Sequence, residues 1–202
     1  MKRLIVSALC LLFVAPALGD AQTFPNDFDG FVQVAGPLSA IDFNILPDGQ
    51  PSMGGEELTD DFNYDSQGVH FSALMSNPYI AGNLDDGFGL SVTEDDATIV
   101  ADLITPAYAV GAFFPGGTEL CVFDQLGLGA ELGCTSYFEP GSGNFVGIVS
   151  TDPIWSATFN SGQIAEGIES FVFSPVPEPG TCVLFATAAA LLVRRKRRTA
   201  SM

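Results

Sequence analysis

Between Leu4 and Val193 this chain has no lysine and no arginine. A nucleic-acid surface is thereby excluded, because nothing could neutralise phosphates. So is Schiff-base chemistry, which needs a lysine. A bidentate clamp on a carboxylate or phosphate needs an arginine, and the middle of the chain has none. Histidine is nearly absent as well. His70 is the only one, so a Ser-His-Asp mechanism would have to use it, and nothing around it resembles a nucleophile elbow. One histidine and few cysteines leave too few ligands for a zinc centre. The middle also lacks a helical apolar stripe and a repeat of fixed period.

Negative charge fills this space. All 24 Asp and Glu lie between Asp20 and Glu178, while the seven Lys and Arg sit at the two ends. The segment from Leu4 to Val193 thus holds 24 negative and no positive side chains, a formal charge of −24. Such a segment stays soluble by self-repulsion and favours cations as partners.

The middle reads as β structure. Short apolar runs recur between Gly, Pro, Asn and Asp punctuation. Strands are expected over 31–35, 40–46, 68–74, 88–93, 97–104, 108–114, 119–124, 131–138, 144–150, 154–159 and 170–174. In Val69-His70-Phe71-Ser72 the apolar side chains share one face and His70 takes the other. About eleven short strands with phenylalanine spread along them predict an all-β fold, a two-sheet β-sandwich of jelly-roll type. A closed barrel is the alternative. Residues 20–29 read as a loose arm and 47–61 as a long loop.

Two of the four cysteines lie in this region. Cys121 and Cys134 are placed symmetrically about Leu126-Gly127-Leu128-Gly129, opposite each other on an expected hairpin. A disulfide follows in an oxidising compartment.

The two ends read as addresses. Met1-Lys2-Arg3, the apolar Leu4 to Val14 and the small residues of Ala17-Leu18-Gly19 form a secretory signal peptide over 1–19. Cleavage by signal peptidase is expected after Gly19, with Ala21 the second choice. At the other end, Pro175, Pro177 and Pro179 keep the chain extended. Cys182 to Val193 is an apolar run about 18 Å long as a helix, short against a hydrocarbon core of about 30 Å. Arg194, Arg195, Lys196, Arg197 and Arg198 follow and would stay on the cytoplasmic side.

This order resembles the PEP-CTERM sorting signal. The motif Val176, Pro177, Glu178, Pro179 precedes the apolar transmembrane helix, and the basic residues close it. The resemblance implies domains over 1–19, 20–174 and 175–202. It also implies that an exosortase removes the tail, which anchors the protein only transiently in the inner membrane. The domain would then reside at the cell surface or be secreted. Ile41-Asp42-Phe43, Gly68-Val69-His70-Phe71 and Ile168-Glu169-Ser170-Phe171 resemble strands of PEP-CTERM ectodomains, which look like carbohydrate-binding jelly rolls. Such domains often join their first and last strands through a structural calcium, which makes Asp42 and Glu169 conceivable ligands here.

Asp27-Phe28-Asp29-Gly30, Asp85-Asp86-Gly87 and Glu94-Asp95-Asp96 are further acidic turns of the type hard cations use. Tyr64, Tyr79, Tyr137 and Trp155 are the aromatics a sugar site would draw on, with Trp155 read as packing. The expected role is non-enzymatic, structural or adhesive within extracellular polysaccharide. A carbohydrate-binding module, calcium-dependent or not, is the alternative. A glycoside hydrolase working with two carboxylates is the third reading.

Overall fold

The computed structural model describes residues 21–84, 87–93, 98–139, 143–160 and 167–175. The readings for 1–20 and 176–202 lie outside them, as do Asp85, Asp86 and Glu94 to Asp96. The described residues form ten strands: β1 (Gln22–Pro25), β2 (Ser39–Ile41), β3 (Val69–Ala73), β4 (Tyr79–Leu84), β5 (Gly87–Ser91), β6 (Thr98–Phe114), β7 (Thr118–Phe123), β8 (Glu131–Tyr137), β9 (Asn144–Asn160) and β10 (Ser170–Pro175). Eight of them make one antiparallel sheet, and β4 and β5 make a small second one.

The eight-stranded sheet is built on β6 and β9, which run antiparallel along their whole length. Two prolines interrupt them. Pro106 lies where the register jumps from Asp102↔Ser156 to Ala107↔Ile154, and Pro153 where it jumps again to Ala109↔Val149. Proline cannot donate to a ladder, so the pairing opens and the strands bend there. Breaks read as strand ends at 104–108 and 150–154 are therefore bends inside two long strands.

Each half of the bent pair gathers its own neighbours. The halves containing Ala109–Phe114 and Asn144–Val149 pair with β10 and β1, and β10 pairs with β2. The halves containing Thr98–Asp102 and Ser156–Asn160 pair with β3 and β7, and β7 pairs with β8. Phe171 of β10 meets Phe71 of β3 at 5.4 Å and Phe159 of β9 at 5.9 Å, ring to ring. The two halves thus face each other across a shared core, as in a β-sandwich.

One expected strand is a helix. Residues 28–35 form α1 (Phe28–Ala35), not an extended run from Phe31. Asp27 caps it, accepting the Gly30 N–H at 2.9 Å, and Gly36, at φ 75°, ends it before Pro37. Phe28, Phe31 and Ala35 share one face, at helical spacing. Phe31 is fully buried on the outer side of the sheet, in a second cluster with Phe24, Ala109, Phe145 and Val172. Its seat exists because Gly147 has no side chain; a Cβ there would sit 2.6 Å from the Phe31 ring. The arm read over 20–29 is likewise corrected: β1 pairs with Val146–Val149 of β9.

Candidate functional site

The lone histidine lies on the other outer face. On β3, β6 and β9 the register sets His70 opposite Asp102 and Asp102 opposite Ser156. These are the residue types of a hydrolytic triad, in one row. Their bonds go elsewhere. His70 Nδ1 is 2.9 Å from Asp65 Oδ1, and Nε2 is 3.8 Å from Asp60. Ser156, fully buried, donates its hydroxyl to the Gln125 carbonyl at 2.8 Å. Asp102 accepts the Gly127 N–H at 3.1 Å. Ser156 stands two strand spacings from His70, about 9.5 Å, beyond the reach of a nucleophile–base hydrogen bond. The row serves to hold the β7–β8 turn against the sheet.

The disulfide expected between Cys121 and Cys134 is present, with the two residues directly opposite each other on β7 and β8. Glu131 lies beside them. Bonded to each other, the sulfurs are not thiolate ligands.

The acidic candidates gather where β2 and β10 end. Ile41 pairs with Phe171, so Asp42 and Glu169 come to the same end of that ladder. Asp42 is exposed and folds back to accept the Asn44 N–H at 3.1 Å. Glu169 is half-buried, and its N–H donates to the Phe113 carbonyl. A calcium ion takes six to eight oxygens, roughly, and two carboxylates offer at most four. Asp42 Oδ1 accepts the Asn44 N–H and keeps a second lone pair. The remaining ligands of such a site would have to come from backbone carbonyls and water. Asp27, read as the start of a cation loop, is instead the cap of α1.

Between β2 and β3 the long loop closes the sandwich edge with groups that single-residue reading missed. Phe43 turns inward at φ 57° and packs against Tyr64 and Phe71. Tyr64 is fully buried and donates to the Ile45 carbonyl at 2.9 Å. Burial above all, and then the charges of Asp42 and Glu56, push its phenol well above its ordinary value. Glu56 accepts the Met53 N–H at 2.8 Å and the Ser52 hydroxyl at 3.0 Å. Burial raises the Glu56 pKa, but these bonds, with the N–H groups of Glu56 itself and Gly54, outweigh it and hold the carboxyl below its ordinary value.

Asn63 seals the outer edge of β3. Its amide donates to the Phe71 carbonyl at 2.7 Å and accepts the Phe71 N–H at 2.8 Å. That is the bond pair a neighbouring strand would make. Of the four aromatics named for a sugar site, Tyr64 is core. Tyr137 accepts from Asn26 where β1 meets β8, and Tyr79 and Trp155 are half-buried. The register does not bring them to one place.

Among the described residues, no helix is long and apolar enough to cross a membrane. No family model and no curated protein matches the chain. One solved structure that matches holds the CBM32-1, CBM32-2 and M60 catalytic domains of Clostridium perfringens ZmpB. Identity is 12% and the TM-score 0.31, over 79% of this chain and 17% of that one. The chain therefore spans under a fifth of that protein, and a likeness this slight carries no argument.

Proposed function

We propose that this chain is an exported, non-enzymatic protein of the cell surface or extracellular matrix. An exosortase sorts it, and a jelly-roll ectodomain acts structurally or adhesively in extracellular polysaccharide. The observation that carries this reading is the separation of charge. Every Lys and Arg lies in the two terminal address segments, and every Asp and Glu lies between Asp20 and Glu178. Two further facts support it. The last described strand, β10, ends at Pro175, one residue before Val176-Pro177-Glu178-Pro179. The Cys121–Cys134 bond suits an oxidising, extracellular setting.

The test is intact-mass analysis of the protein exported from an exosortase-bearing host and from one lacking the enzyme. Loss of Arg194 to Arg198 in the first host alone is the expected result. Retention of those residues in both would sink the sorting reading. Tight binding on a glycan array would move the domain from a structural role to that of a carbohydrate-binding module.

A further inference from the structure

The turn that joins β7 to β8 is held more firmly than a connection requires. Asp124 and Ala130 close it with two hydrogen bonds, Asp124 N–H to the Ala130 carbonyl at 3.0 Å and Ala130 N–H to Asp124 Oδ1 at 2.7 Å. Ser156 holds Gln125, and Asp102 holds Gly127. The disulfide ties the strands at its base. These pins reach from β9 to β6, so the turn lies across the outer face.

This fixed turn presents leucines to water. Leu126 is 55% exposed and Leu128 38%. Leu128 also has φ 70°, directly after Gly127 at 66°. Two successive left-handed residues are the geometry of a turn that takes Asn or Gly. A branched apolar side chain is strained there. Phe43 shares that strain but is repaid by complete burial. Leu128 is 38% exposed, so packing repays its strain only in part. Strain kept at a position left partly open to solvent points to use.

We propose that the turn 124–130 is a protein-docking element. Leu126 and Leu128 enter an apolar pocket of a partner protein, and Asp124 and Glu131 face Lys or Arg on its rim. Charge selects this occupant. The domain around the turn has no Lys or Arg, so a second copy would be repelled, as would an anionic bilayer. Sugars are not read by leucines. The proposal stands apart from the sorting reading and can fail without it.

A random dodecapeptide display library selected on the exported chain tests it. Enriched peptides are expected to combine apolar residues with Lys or Arg. They should lose at least about tenfold in affinity for the double variant Leu126→Ser, Leu128→Ser. They should keep it for Leu74→Ser, a leucine 61% exposed elsewhere. Leu128→Gly should raise the melting temperature by about 2 °C while weakening the same peptides. The proposal is overturned by peptides that ignore the double variant, or by no enrichment. It is equally overturned by a lowered melting temperature of Leu128→Gly, or by cosedimentation with phosphatidylcholine–phosphatidylglycerol vesicles that the double variant abolishes.

Discussion

The two outer faces of the β6–β9 pair are covered in opposite ways. On one half, α1 lies over the sheet and fills the gap with rings. Phe31 is edge-on to Phe24 at 5.7 Å and close to Phe145 at 5.1 Å, with Phe28 against Phe113 and Phe145. On the other half, the β7–β8 turn is held by single hydrogen bonds from Ser156 and Asp102. Apolar cover excludes water over an area and adds many weak contacts. Polar pins fix a few atoms and leave the cover wet, each contributing about 1 kcal/mol net. The first kind of cover serves stability. The second holds a shape while leaving its surface available.

The comparison can be broken from its strong side. Phe31→Ala should cost about 3–5 kcal/mol, the usual range for removing a buried aromatic ring. Urea unfolding with tryptophan fluorescence would measure it through Trp155. A loss below about 1 kcal/mol would mean that α1 is an ornament on an independently stable sheet.

Asn63→Ala asks whether a polar device can match an apolar one. It would leave the Phe71 N–H and carbonyl without their side-chain partners at a buried position. The expected loss is about 2–3 kcal/mol, because unsatisfied buried groups cost more than a made bond gains. Amide hydrogen exchange at Phe71 should accelerate with it. Ser156→Ala removes one pin from the turn and should cost only about 1 kcal/mol. Faster exchange confined to residues 125–129 would show that the turn loosens while the sheet holds.

Much of the fold is written in local pattern, and the two faces show where that stops. The Cys121–Cys134 pairing follows from symmetry about one turn, a relation within a single hairpin. The helix was equally legible, since Asp27, Phe28, Phe31, Ala35 and Gly36-Pro37 carry a cap, a stripe and a stop. A reading that begins at Phe31 loses the cap and half the stripe, and then Phe-Val-Gln-Val-Ala passes for a strand. Pro106 and Pro153 marked the right places, but whether a proline ends a strand or bends it depends on neighbours the ladder supplies. The polar pins were out of reach. Asp102 meets Gly127 across 25 residues and Ser156 meets Gln125 across 31, contacts that exist only once β6, β9 and β7 lie side by side. Asp42 and Glu169 come to one ladder end through the pairing of β2, the second strand, with β10, and sequence could not show that Asp42 accepts a hydrogen bond from its own turn.

The finest distinction between the two kinds of holding is their response to acid. Rings do not titrate, whereas Glu56 does, and its carboxyl lies below its ordinary value of 4.5 in the folded chain. A depressed folded value means that the unfolded chain binds the proton more readily. Stability from Glu56 is therefore complete above the unfolded value and is lost as pH falls through the folded one. Glu56→Gln keeps the shape but cannot accept from both Ser52 and Met53 with two oxygens. At pH 7 the variant should be less stable by about 1 kcal/mol. The gap should close as the buffer is taken below the folded value, because wild type then loses the same charge. Phe31→Ala should keep its full deficit over that range. A Glu56→Gln deficit that did not shrink in acid would show that the carboxylate acts through shape alone, and the polar edge would then belong with the rings.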